Sequence, residues 1–325
     1  LDALDLHITP NWGILQIKQK IESVGTPLKD WDINIYRGVL TGYNEAFIIS
    51  TEKRDEILAN CATEEERTRT AELIRPILRG RDIKRYGYEW AGLYLIATFP
   101  SRHYDIELYP AVKKFLLSFA KESLIESGYQ WVADSYLEEF CKQKLEQSGR
   151  FIEIQGKRIR IGKDDEKSRK KTSNKWFETQ DSISYWEDFS KPKIVWAELA
   201  RTGNAFALDF ENHMVGNTGY VLTCPSSSHQ ELLYLLAFLN SRSTLYSLNH
   251  LTTRFDENGW RWLRQFVEQL HIPPFIQMEN ILSIVSSINK ENKRDISEEI
   301  NNAIADIYGL SEEEVEYINN SLLGY

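Results

Sequence analysis

The run Leu232-Leu-Tyr-Leu-Leu-Ala-Phe-Leu239 is apolar nearly all round. A helix of that kind is stable in water only when other elements enclose it, so the chain must build layers around this segment. With 325 residues, 42% of them hydrophobic, it has the length and apolar surface for one large domain or two ordinary ones. No apolar run approaches the roughly eighteen residues of a membrane-crossing helix, and no basic-then-apolar leader is present. The chain opens on Leu1 rather than Met, which suggests a fragment of something longer. Cys61, Cys141 and Cys224 are far apart and in no metal spacing, so a reduced cytoplasm is the expected compartment.

After Thr9-Pro10-Asn11, the residues Ile14, Ile17, Ile21 and Val24 follow a helical period that Gly25 stops. Leu28 to Ile35 reads as extended and Phe47-Ile-Ile49 as a short strand, which leaves Arg37 to Glu45 as a loop between strands. Thr63-Glu-Glu-Glu66 has capping-box spacing and opens a helix running toward Arg75, ended by Pro76 and Gly80. Leu93 to Phe99 reads as a strand, Val112 to Phe119 and Tyr136 to Leu145 as helices. Ile152, Ile154, Ile159 and Ile161 alternate around Gly156 as in a hairpin. Ile194-Val-Trp196, Phe206 to Phe210 and Tyr220 to Thr223 are further strands, and from Ile276 the pattern is wholly helical. The expectation is a lead-in helical segment at 1–25, a mixed domain at 26–275 and a separate helical tail at 276–325. Strands mixed with helices and then helices alone give an α+β class, with mixed and antiparallel sheets and surrounding helices.

The net charge is −9, which by itself disfavours nucleic acid because Lys and Arg supply most of the affinity for phosphates. The distribution reverses that inference. Residues 142–175 hold twelve Lys or Arg against five acids, whereas the last 49 residues hold three against ten. One surface suited to a polyanion and another facing elsewhere would account for the asymmetry; a solvated loop is the alternative.

Two stretches set Gly beside Arg or Thr: Tyr36-Arg-Gly-Val-Leu-Thr-Gly-Tyr-Asn-Glu-Ala-Phe47 and Arg75-Pro-Ile-Leu-Arg-Gly-Arg-Asp-Ile-Lys-Arg-Tyr86. Glycine lets the main chain approach a ligand closely while its neighbours supply donors, although such pairs are also ordinary turn chemistry. In order along the chain they join Leu28-Lys-Asp-Trp31, Lys191-Pro-Lys-Ile-Val-Trp-Ala-Glu198, the Leu232–Ser241 run, Ile272-Pro-Pro274 and Ile307-Tyr-Gly-Leu-Ser-Glu-Glu-Glu314. This series resembles the TaqI-like C-terminal specificity domain of type IIG restriction-modification enzymes and adenine-specific DNA methyltransferases. The resemblance implies duplex DNA as the partner and methyltransferase and nuclease domains upstream in the same polypeptide. S-adenosylmethionine and Mg²⁺ would belong to those domains, with no cofactor in this stretch.

Catalytic chemistry is not evident in the residues themselves. Amino-methyltransferases place Asp, Asn or Ser before Pro-Pro-aromatic, but Ile272-Pro-Pro-Phe275 begins with a residue that cannot accept a hydrogen bond. Gly38 and Gly42 lack the third glycine and helix of a nucleotide fingerprint. The six histidines are scattered, with no ligand spacing.

DNA recognition uses Arg for guanine, Asn or Gln for adenine, and Lys, Thr or backbone amides for phosphates. On this logic Arg37, Thr41 and Asn44 of the first motif and Arg79, Arg81, Lys84 and Arg85 of the second face DNA, with Asp82 positioning one of the arginines. Lys157, Arg158 and Arg160 on the hairpin, and Lys175 before Trp176, reach a groove or flanking phosphates. Arg201, with Thr202 and Asn204, forms a third loop. Tyr43, Phe47 and Tyr86 are read as packing residues. Half of a type I-like specificity subunit is the nearest alternative. An autonomous Mg²⁺ nuclease built on Asp134, Glu153 and Lys157, or a protein-interaction domain, are the competitors from other classes.

Overall fold

The computed structural model describes residues 10–126, 142, 145, 151–154, 157–160, 173–201, 203–225, 228–252, 259–275, 279–288 and 293–322; at 10–12, 123–126, 151–154, 157–160, 279–280 and 293–295 only the backbone is described. The chain forms two compact units. The first comprises residues 1–38, 79–89 and 187–325, and the second residues 39–78 and 90–186.

The first unit is built on a four-stranded antiparallel sheet in the order Phe206–Asp209, Lys193–Ala197, Gly219–Thr223, Asn34–Arg37. Every residue of Lys193–Ala197 and Gly219–Thr223 is buried, because these strands lie inside the layer rather than at its face to water. Against them lies the helix His229–Leu239, buried from Leu232 onward as its all-round apolar sequence requires. Ser228 opens that helix, its Oγ accepting from Glu231 N, and Ser241 does the same for Arg242–Leu251 through Thr244 N. On the sheet Trp196 stacks on Tyr220 with centroids 5.4 Å apart, while Phe206 meets Trp262 edge to face at 5.0 Å.

The lead-in and tail are not separate segments. Ile17 and Ile21 of the helix Pro10–Val24 belong to the same core as the sheet, as do Ile281 and Val285 of Glu279–Ser286, Ile300 and Ile304 of Lys293–Ile307, and Ile318 of Glu312–Leu322. The physical reason is coverage: an enclosed helix needs apolar neighbours on several sides, and the stripes of these helices supply them. Thr26–Pro27 also pairs with His271–Ile272, so the expected boundary near residue 275 falls within one packed body.

The second unit has the antiparallel strands Ile48–Ser50, Leu93–Ile96 and Ile74–Leu78, the middle one pairing with both others, and helices Thr51–Ala59, Glu64–Leu73 and Pro110–Glu126. Thr63 caps the second helix as its spacing predicts, its Oγ1 accepting from Glu66 N. Glu66 is buried and accepts from Ala62 N and Ala111 N, so one carboxylate serves the start of two helices. The helix ends at Leu73, and Arg75-Pro-Ile-Leu78 is a strand, not a turn leaving a helix. Phe47 ends a single helical turn, Asn44–Phe47, instead of starting a strand. The backbone of the expected hairpin is present, Phe151–Ile154 pairing antiparallel with Lys157–Arg160. The helix expected at Tyr136 to Leu145 lies almost wholly outside the described residues.

A buried ionic cluster closes one end of the first unit's sheet. Lys193 and Asp209 are both fully buried with Nζ 2.5 Å from Oδ2, and Lys193 also donates to Phe189 O at 2.7 Å. Asp209 accepts from His213 N and Glu211 N and from the Tyr88 hydroxyl, and its Oδ1 lies 2.9 Å from His213 Nδ1. Burial alone would raise the Asp209 carboxyl, but the His213 hydrogen bond and the Lys193 charge outweigh it and hold the group at about 2. A carboxylate depressed on folding contributes stability above its unfolded value and loses it as pH falls toward the folded one. Stability should therefore fall as pH drops from about 4 to about 2, and Asp209→Asn should both cost about 3–5 kcal/mol at neutral pH and flatten that acid limb, as read by urea melts across pH.

Candidate DNA-binding site

The turn Gly216-Asn-Thr-Gly219, closed by Gly219 N donating to Gly216 O at 2.9 Å, joins Met214–Val215 to the central strand Gly219–Thr223. Both Arg-Gly motifs dock on it. A Cβ at Gly38 would lie 2.1 Å from Gly216 O, and one at Gly80 would lie 2.5 Å from Thr218 O. Gly38 N donates to Gly219 O and Gly80 N to Thr218 Oγ1. These glycines thus allow approach to the protein's own backbone rather than to a ligand, which corrects the role assigned to them from sequence.

The docking fixes the flanking arginines. Arg37 ends the edge strand, donates from Nε to Asn217 O at 3.1 Å and pairs with Glu198 at 3.3 Å, yet its side chain is 57% exposed. Arg79 meets Asp82 through two parallel bonds of 2.9 and 2.7 Å, and Asp82 also accepts from Arg79 N. Burial would raise the Asp82 carboxyl, but these Arg79 bonds together hold it below the usual range, so the pair stays ionised. This is the positioning expected of Asp82, and it leaves Arg79 only partly open to water. Arg81 is exposed, and Lys84 is exposed with Nζ donating to Arg81 O at 2.8 Å.

Arg85 faces inward. Its Nη2 donates to Asn240 O at 2.5 Å, and its guanidinium lies 5.3 Å from the Tyr86 ring. A charge committed to the end of the buried helix cannot also face DNA, so Arg85 is a structural residue. Of the third loop Arg201 is exposed, whereas Asn204 is buried and donates to both Leu239 O and Ser241 O at 2.8 Å; Thr202 lies outside the described residues.

In the second unit Thr41 is fully buried, donating from Oγ1 to Asn44 Oδ1 at 2.6 Å and accepting from Tyr43 N, so it shapes the loop and does not meet a ligand. Gly42 takes φ +77° to make that bend. Asn44 stays exposed at the start of its helical turn, and Tyr43 packs edge-on against Phe119 as expected of a packing residue. Lys175 is exposed with Nζ 5.6 Å from the Phe177 ring centroid. The side chains of Glu153, Lys157, Arg158 and Arg160, and all of Asp134, lie outside the described residues.

Reading from sequence overlooked Asn217, Thr218 and the pairing partner Glu198; the Gly-x-x-Gly spacing between two strands was the available signal. Ile272 is fully buried in its strand and Tyr234 donates to Pro273 O, so the Ile272-Pro-Pro-Phe275 tetrad is packed into the core and its first residue has no side-chain acceptor for an amino group. Among the described residues no group of His, Cys, Asp or Glu side chains is placed to hold a metal, and no helix is long and apolar enough to cross a membrane.

A family model, the TaqI-like C-terminal specificity domain, matches residues 138–271. No curated protein sequence matches the chain. Among solved structures, the type IIG restriction endonuclease BpuSI is similar at 12% identity and a TM-score of 0.48, over 93% of this chain and 33% of that one. The type IIL restriction-modification enzyme MmeI, solved in complex with DNA, is similar at 11% identity and a TM-score of 0.46, over 91% of this chain and 36% of that one. The chain thus spans about a third of the length of each.

Because the added methyl would strike backbone, Gly38→Ala and Gly80→Ala should each lower stability by about 2–3 kcal/mol or more in denaturant melts. Gly87→Ala, where a Cβ meets nothing within 4 Å, should change it by less than about 1 kcal/mol.

Proposed function

We propose that this chain is a target-recognition module that docks on duplex DNA, selects a short sequence and presents it to methyltransferase and nuclease domains of the same polypeptide. The observation that carries the reading is the match of residues 138–271 to a specificity domain, a stretch that contains the 216–219 turn on which both Arg-Gly motifs dock. Supporting it, Arg37 and Arg81 stand exposed, each next in sequence to a glycine that docks on that turn. Arg37, its guanidinium held by Asn217 O and Glu198, has lost much of its freedom before binding, which favours directional contacts to bases or phosphates. Arg79 and Lys84, beside Arg81 in the sequence, and Arg201 would add positive charge, and Asn44, Lys175, Lys157, Arg158 and Arg160 are the contributions expected of the second unit. In this reading S-adenosylmethionine and Mg²⁺ act in the partner domains, base flipping occurs there, and this chain has no catalytic step of its own.

The test is fluorescence anisotropy with a random duplex library at two salt concentrations, followed by sequencing of the bound fraction. Salt-sensitive binding with an enriched short motif is the expected result; binding that is absent or indifferent to salt would overturn the reading. Arg81→Ala should weaken binding by about 1–3 kcal/mol, whereas Arg85→Ala should lower the melting temperature and leave the affinity of the folded protein largely unchanged.

A further inference from the structure

Each residue of the 216–219 turn has a structural task except one side chain. Gly219 has no room for a Cβ, which would lie 2.8 Å from Val215 Cγ1 and 2.9 Å from Trp196 O. Thr218 uses Oγ1 to receive Gly80 N and its carbonyl to receive Glu198 N. Gly216 O closes the turn. Asn217 lends its carbonyl to Arg37 Nε, but among the described residues its side-chain amide has no hydrogen-bond partner. Asparagine often occupies turns because it tolerates positive φ, and that explanation fails here, since Asn217 does not have positive φ. It is partly exposed, on a turn braced by Gly38, Gly80 and Glu198.

We propose that Asn217 is a specificity-determining residue that reads one base edge, its amide donating and accepting in the two-bond pattern that suits adenine in the major groove. The inference rests on the DNA-recognition reading and goes further by naming the contact. A carboxamide offers one acceptor and one donor side by side, which matches adenine N6 and N7, and the carbonyl bond from Arg37 fixes the backbone from which it projects. Arg37 and Arg81 would then contact the duplex beside it.

The experiment is the same library selection with this chain and the variants Asn217→Ala and Asn217→Asp, each checked for an unchanged melting temperature. Asn217→Ala is expected to flatten the preference at a single position that favours A in the parent. Affinity for the parent's best site should fall roughly ten- to a hundredfold, while weak binding to unrelated duplex at low salt persists. Asn217→Asp, now acceptor only, should shift that position toward C. An unchanged motif and affinity in Asn217→Ala would overturn the inference and leave the recognition module standing. Salt-sensitive binding by the parent without any enriched motif would overturn base reading as a whole, and absence of binding by the parent would remove both.

Discussion

A helix enclosed on all sides buries its last carbonyls as well as its side chains, and those carbonyls must find donors inside the protein. The helix His229–Leu239 imposes this demand on the first unit. Asn204 answers the carbonyls of Leu239 and Ser241, Arg85 answers Asn240, and Thr244 Oγ1 answers Phe238. The Asn240 side chain in turn pairs with both backbone groups of Phe206, and Tyr86 N donates to the same Phe206 carbonyl. The helix end, the outer strand of the sheet and the tail of the second Arg-Gly motif are therefore one hydrogen-bonded assembly, and just before that tail Arg81 and Lys84 are exposed.

That assembly explains what the sequence could and could not reveal. Elements whose signal is local were legible: the helix stopped by Gly25, the cap at Thr63, the strands at Ile194, Phe206 and Tyr220, the paired strands Phe151–Ile154 and Lys157–Arg160, and the apolar helix itself. Arg81 and Arg85 were not distinguishable, because both are arginines in one basic motif and only the position of Asn240, some 155 residues on, turns one inward. Thr41 was misread for a similar reason: its hydroxyl finds Asn44 and Tyr43 next to it, and a short polar side chain that can satisfy itself locally has no need of a ligand. The glycines were recognised as places of close approach, but the approaching group, the 216–219 turn, lies far off in sequence. The helical tail looked separate because its helices are amphipathic and acidic; that their stripes complete the core of the first unit is a tertiary fact.

The Lys193–Asp209–His213 cluster shows a second kind of constraint. Removing both charges from water is expensive, and their attraction only balances this when further hydrogen bonds complete the geometry. Here Phe189 O, Glu211 N, His213 and Tyr88 supply them, and burial together with the Asp209 carboxylate pushes the Tyr88 phenol well above its usual range, keeping it a neutral donor. Such a cluster tolerates one register of the strands Lys193–Ala197 and Phe206–Asp209, since a one-residue slip would present Lys193 to the opposite face.

The edge strand Asn34–Arg37 has a temporal consequence. Its partner is Gly219–Thr223, and Arg37 and Asn217, which bond at the end of this pairing, are 180 residues apart. At ordinary rates of synthesis, roughly 5–20 residues per second, the strand leaves the ribosome on the order of ten to forty seconds before its partner exists. The intervening residues 39–78 and 90–186 make up the whole of the second unit. The strand Asn34–Arg37 is thus synthesised before every residue of the second unit, yet it can pair only after all of them have been made.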